Sequence, residues 1–159
     1  VLRDQATNAY DYGPGLENVL ADYLAAHPVP VVVVDETMLD ARGVTDPVAR
    51  KRWHDGYMTL TGRESGYGSN VVNLSDSNAH GAQMSDGAPA NSSRGPAQCI
   101  PTTFAGHHQP GTSTSIYEPV ANIAASMNYV MDRYGVSPDG SNLASRVSQA
   151  NHAARGGGY

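Results

Sequence analysis

The stretch 119–134 limits the fold more than any other part of the chain. Val120, Ile123, Ala124, Met127, Val130, Met131 and Tyr134 recur at helical spacing and form one apolar stripe. Ser115 and Glu118 stand before it in the spacing of a capping box. Pro119 falls in the first turn, where its missing N–H costs little, and Gly135 supplies the stop. This is the core helix of a mainly α fold. Met127 and Met131 on it are core filling rather than a ligand-binding box.

A second helix begins at Asp46-Pro47, with Asp as N-cap and Pro at the first helical position. It runs through Val48, Trp53, Tyr57 and Leu60 to about residue 61. Reading back from Glu64, the residues Leu60, Tyr57 and Trp53 fall at steps of four, three and four, which keep to one helix face. If the helix reaches Glu64, that carboxyl ends an apolar and aromatic stripe and is partly desolvated. Desolvation disfavours the charged form and raises the pKa, as a general acid near neutral pH requires. The alternative is a solvated Glu at a helix end. Arg50, Lys51 and Arg52 are consecutive and cannot share a face, so they read as a solvated surface rather than a polyanion site.

Residues 65–96 are rich in Gly, Ser and Asn and argue for loops, with Val71, Val72 and Leu74 as anchors and room for a two- or three-stranded hairpin. Pro101 to Phe104 suggests a short helix with Phe104 inward, ended by a turn at 107–111. His107 and His108 are chain neighbours that point apart, with no acid or third His at ligand spacing, so no metal site is expected. A last helix spans about 143–154, and the glycine-rich tail 155–159 reads as flexible. Before Asp46, residues 1–15 read as a loop. Leu16, Val19, Leu20, Tyr23 and Leu24 predict an amphipathic helix stopped by His27-Pro28, and the valine run 31–34 predicts a short strand. Asp35 and Glu36 read as a solvated cap before Met38-Leu39.

With 159 residues, one domain with a real core is expected. The net charge of -5 argues against a nucleic-acid binder. A single cysteine, Cys99, excludes an internal disulfide and reads as a small buried apolar residue. No apolar run is long enough to cross a membrane, and Val1-Leu2-Arg3-Asp4 is not the start of a signal peptide. The missing initiator Met suggests a piece of a longer protein.

Three groups of residues carry a resemblance. They are Glu64-Ser65-Gly66, then Ser93-Arg94-Gly95-Pro96-Ala97-Gln98-Cys99-Ile100-Pro101-Thr102-Thr103-Phe104, then Pro119-Val120-Ala121-Asn122-Ile123-Ala124-Ala125-Ser126-Met127-Asn128-Tyr129-Val130. In this order they resemble the SLT-type lytic transglycosylase domain of the lysozyme superfamily, in the form found in actinobacterial and mycobacteriophage endolysins and tape-measure proteins. The resemblance covers roughly 53–159. It implies a lysozyme-like (goose-type) fold, with a long loop or small hairpin after the catalytic helix. The body would be 46–159, with 1–45 as an accessory helical segment packed on it, a monomeric unit attached to other domains in a longer chain.

The activity the resemblance implies is cleavage of the MurNAc-β-1,4-GlcNAc bond of peptidoglycan with formation of 1,6-anhydroMurNAc, at the bacterial cell wall and from a phage-encoded protein. No metal or organic cofactor is implied, and no nucleic acid or membrane partner. Glu64 would be the single acid/base. Ser65, Gln98 and Tyr129 match groove residues of the family, and Tyr159 would stand for a Tyr near the catalytic Glu. The family's Gly-Leu-Met-Gln reads here Gly95-Pro96-Ala97-Gln98, so one groove wall should be less filled. No Ala-Tyr-Asn-Ala-Gly motif follows the long helix. Ser65 reads equally as a helix-end cap, and Tyr129 nearly as well as packing. Asp76 and Asp86 are candidate assisting acids. Either would make a hydrolytic muramidase if it lay about 6.5–9.5 Å from Glu64, though both also read as turn-forming residues. A catalytically weak glycan-binding or tail-structural domain is the remaining alternative.

Overall fold

The computed structural model describes residues 10–13 and 32–159. Among these residues the protein is mainly α-helical, and β structure is limited to isolated bridges. The amphipathic helix expected at 16–24 lies outside the described residues.

Residues 32–34 are extended but form no strand. Val32 and Val34 are buried and Val33 is 53% exposed, the alternation of a strand. Among the described residues Val32 N–H donates to the Tyr67 carbonyl at 2.8 Å and Val34 N–H to Met58 Sδ at 3.4 Å. The burial pattern is that of a strand, but no partner strand lies among the described residues to complete a ladder. Helix α1, Glu36–Ala41, follows, with the Asp35 carboxylate accepting from Thr37 N–H at 3.0 Å. Asp35 and Glu36 are exposed while Met38 and Leu39 are buried, as a solvated cap requires.

Helix α2, Pro47–Ser65, starts where Asp46 accepts from Ala49 N–H at 2.9 Å. It runs one turn beyond residue 61, so Glu64 lies on it. Gly66 ends it in the left-handed region (φ 60°), a conformation glycine adopts without a Cβ clash. Its buried stripe of Trp53, Tyr57 and Leu60 faces the core. Arg50, Lys51 and Arg52 disperse onto separate carboxylates: Arg50 on Glu36 and Asp40, Lys51 on Asp55, and Arg52 on Asp139.

Helix α3 is Pro101–His107, with Phe104 fully buried, and helix α4 is Pro119–Tyr134. The expected capping box does not form. Glu118 is itself the N-cap of α4, its Oε2 accepting from Ala121 N–H at 2.7 Å. Pro119 fixes the first helical position, which leaves Ser115 outside the helix.

From Ala121 to Met127 every residue of α4 is buried. Ile123, Met127 and Val130 join the Trp53, Tyr57 and Leu60 core, together with Val32, Val34, Met38 and Leu39. Ala121 and Ala125 face a second core of Tyr12, Met84, Cys99, Phe104, Ile116 and Tyr117. The described part of 1–45 contributes Tyr12 to one core and Val32, Val34, Met38 and Leu39 to the other.

The long helix expected at 143–154 is two short pieces, α5 at Leu143–Arg146 and a 3₁₀ turn at Ser148–Ala150. Val147 between them is extended (φ -125°, ψ 99°). Leu143, Val147 and Ala150 are all buried, so the helical spacing is real, but the backbone breaks to seat each of them.

The irregular stretch after α2 is ordered by two polar anchors rather than by a hairpin. Only the antiparallel bridges Val72 to Arg94, Gln83 to Pro89 and Arg94 to Cys99 form. Val72 is buried, whereas Leu74 is 43% exposed and anchors nothing. The first anchor is Arg94, whose fork grips Asp86 (Nε to Oδ2 2.6 Å, Nη2 to Oδ1 3.0 Å) with both side chains fully buried. Arg94 also donates to the Ser92 and Ala88 carbonyls, and Tyr117 donates its hydroxyl to Asp86. The second anchor is Asn122 of α4. It accepts from Ala97 N–H at 2.8 Å and donates to the Arg94 and Ile116 carbonyls at 3.0 and 2.8 Å. Gly95 (φ 81°) lies against this amide: a Cβ there would come within 2.4 Å of Asn122 Nδ2.

Candidate active site

Glu64 stands in the last turn of α2, half-buried, and the structure holds a cavity of about 380 Å³. Gln98, Tyr129 and Tyr159 line that cavity along with Cys99, and Asn78, His80, Asn91 and Ser93 from the irregular stretch form its polar side. The fold thus brings three of the expected groove residues to one place. Glu64 is not one of the cavity's lining residues. Its charge bears on Cys99 and Tyr159, two of the lining residues.

Burial raises the Glu64 pKa above the usual carboxylate range. A hydrogen bond from Gln149 acts against that shift, and the charge of Asp76 adds to it. Gln149 Nε2 donates to Glu64 Oε1 at 2.7 Å. Cys99 is buried, and its thiol is pushed up to about 12 by burial and then by the Glu64 charge, so it is neutral and inert at ordinary pH.

The other expected residues divide. Ser65 is a helix-end cap: its hydroxyl donates to the Thr61 carbonyl at 3.0 Å and accepts from Gly68 N–H at 3.2 Å. Gln98 sits at positive φ (54°), and its Nε2 is committed to the Val71 and Gly95 carbonyls at 3.1 and 2.9 Å. Its Oε1, which has no hydrogen-bond partner among the described residues, is what it can offer to a ligand. The Tyr129 ring packs edge-on to His107, Tyr134 and Tyr159, and it also lines the cavity.

Tyr159 is docked, which corrects the expectation of a flexible tail. Its hydroxyl meets the Ala97 carbonyl and, at 3.0 Å, Ser126 Oγ, which in turn bonds Tyr57 at 2.8 Å. The wall at Ala97 is not left open, because this phenol is bonded to it.

Asp86 cannot assist at Glu64, because it is fully buried under Arg94 and Tyr117. Asp76 is exposed, and its charge reaches Glu64. Its carboxylate is also engaged locally, with Asn73 Nδ2 at 3.0 Å and Asn78 N–H at 2.9 Å, as a turn-forming Asp would be. The adjacent histidines do not share a ligand position. His107 bonds Asp132 at 3.0 Å and His108 bonds the Ser113 carbonyl at 2.8 Å. Among the described residues no group of three His, Cys, Asp or Glu side chains could hold a metal ion, and no helix is long and apolar enough to cross a membrane.

Sequence reading missed Gln149, Arg63 and Asn122. Arg63 donates to the carbonyls of Ser148 at 2.9 Å, Gln149 at 3.3 Å and Ala154 at 2.7 Å. Asn122 had a usable signal, a lone amide in the run of small and apolar residues that opens α4. Gln149 and Arg63 had none, since their contacts link distant parts of the chain.

No family model matches the chain, and no solved structure matches it. One relative is the uncharacterized protein YqbO of Bacillus subtilis (strain 168), 41% identical over 83 residues. That stretch is 52% of this chain and spans 5% of the length of YqbO.

Proposed function

We propose that this chain is a lysozyme-like lytic transglycosylase domain that cuts the glycan strands of peptidoglycan, with Glu64 as its single acid/base. The observation that carries the reading is the state of Glu64. It is one half-buried carboxyl with a raised pKa, whose charge bears on Cys99 and Tyr159 in the wall of a cavity that Gln98 and Tyr129 also line. A raised pKa makes the protonated form, which a general acid needs, easier to hold than in an ordinary carboxyl.

In the first step Glu64 protonates the oxygen linking N-acetylmuramic acid to N-acetylglucosamine, and the bond from that oxygen to the muramic anomeric carbon breaks. In the second, the Glu64 carboxylate takes the proton of the muramic C6 hydroxyl as its oxygen bonds to the same carbon. The acid is regenerated, the product is a 1,6-anhydro sugar, and no water is consumed. The burial of Asp86 supports this single-acid route. In YqbO the matched stretch is a small part of a long protein. That suits a wall-degrading module carried in longer chains, of phage origin and acting at the bacterial cell wall.

One observation favours a second reading. Asp76 is exposed and acts on Glu64 electrostatically, so it could serve a water-using muramidase. The test is digestion of purified peptidoglycan, read by mass spectrometry, with Glu64→Gln in parallel. Fragments ending in anhydro-muramic acid are expected, and the variant should lose about 10²–10⁴-fold in rate. Reducing muramic ends would transfer the reading to the muramidase and to Asp76. No soluble fragments from the intact protein would overturn both in favour of a binding or structural domain.

A further inference from the structure

Glu64 has one hydrogen-bond partner among the described residues, and that partner is held from two sides. Gln149 belongs to the 3₁₀ turn Ser148–Ala150, seated by the buried Val147 and Ala150. Arg63, the chain neighbour of Glu64, clamps this turn through the carbonyls of Ser148 and Gln149 and reaches on to Ala154. On the other side lies Gly156, where a Cβ would come within 2.1 Å of Gln149 Oε1. The tail backbone therefore passes directly over the amide oxygen, and the amide N–H is left to face Glu64.

The chemistry of the donor matters. A cation at 2.7 Å would hold Glu64 ionised and remove it as an acid. A neutral amide donates to Oε1 of the carboxylate and equally to the carbonyl oxygen of the protonated acid. The one cation nearby in sequence, Arg63, is committed to main-chain carbonyls. We infer that Gln149 is a positioning residue for Glu64: it fixes Oε1 as the oxygen without the proton and leaves Oε2 as the atom that gives and takes it. The inference rests on the reading of Glu64 as the acid/base.

The groups that act electrostatically with Glu64 are Asp76 from the irregular stretch, Cys99 after it and Tyr159 from the tail. Burial raises both Cys99 and Tyr159 and keeps them neutral, so Asp76 is the one charge among them. It pushes the Glu64 pKa up while Gln149 draws it down.

The test is a side-chain carbon-13 NMR titration of Glu64 in the full chain, assigned with Glu64→Gln, alongside the pH profile of fragment release. Gln149→Met keeps the bulk and removes the donor. It should raise the Glu64 pKa by about one unit, the scale of a hydrogen bond to a charged group. It should also lower kcat with KM unchanged and move the alkaline limb of the profile upward. Gly156→Ala keeps the amide but crowds its oxygen, and should shift the titration in the same direction. A Glu64 titration that neither variant moves, with fragment release intact, would overturn the role of Gln149 alone. A titration that responds while the wild-type chain releases nothing would support the contact and sink the catalytic reading on its own.

Discussion

Ionising Glu64 at the end of α2 places a charge where burial has removed part of its water. Its folded-state pKa lies above the value of an unfolded chain, so the folded protein holds that proton more tightly. Stability is unpenalised below the ordinary carboxylate range and falls as pH rises through the window up to the raised value. Glu64→Gln removes the penalty and can keep the bond to Gln149. Thermal melts should show the variant with a higher Tm than wild type at about pH 7, with the gap closing towards about pH 4. A gap of opposite sign would mean that the carboxylate is well solvated or better paired than its surroundings indicate. The spacing of Trp53, Tyr57, Leu60 and Glu64 made this residue legible in the sequence, because all four obey one local period. Ser85-Asp86-Gly87 forms the turn its composition announces, with Asp86 Oδ1 accepting from Ala88 N–H at 2.9 Å. What local spacing did not carry is the burial of that carboxylate, whose one hint was Arg94, the one Lys or Arg between Glu64 and Ile100.

The helices α2 and α4 were legible because period, cap and stop agree within a single stretch. The cap of α4 was the exception: two residues fitted the box, and only the geometry at Pro119 separates them. Glu118→Ala should therefore cost about 1 kcal/mol in denaturant melts, while Ser115→Ala should stay within about 0.5 kcal/mol. The reverse order would restore Ser115 as the cap. The elements that sequence did not give are those fixed from outside themselves. The 143–154 stretch has helical spacing, yet Val147 takes an extended backbone. The tail has a flexible composition, yet Tyr159 is held by Ala97 and Ser126 from remote parts of the chain.

At the scale of the whole molecule, the cavity lined by Gln98, Tyr129 and Tyr159 depends on a loop with almost no regular structure, held by the buried Arg94–Asp86 fork and by Asn122. Asp86→Ala would leave Arg94 buried without its partner, at a cost of about 3–5 kcal/mol. Replacing Arg94 and Asp86 together with apolar residues of similar volume should cost less than this single change. Chemical denaturation of the two variants checks the order, and equal losses would mean that the fork contributes only packing.

Helix α4 serves as the common wall of both cores, with Ile123 and Met127 on one side and Ala121 and Ala125 on the other. Both cores close against α4, so loss of that helix would open the two together. The cores should therefore melt as one cooperative unit, with a single calorimetric peak. The amide protons of 123–127 should exchange with deuterium only through complete unfolding, slower than any others in the chain.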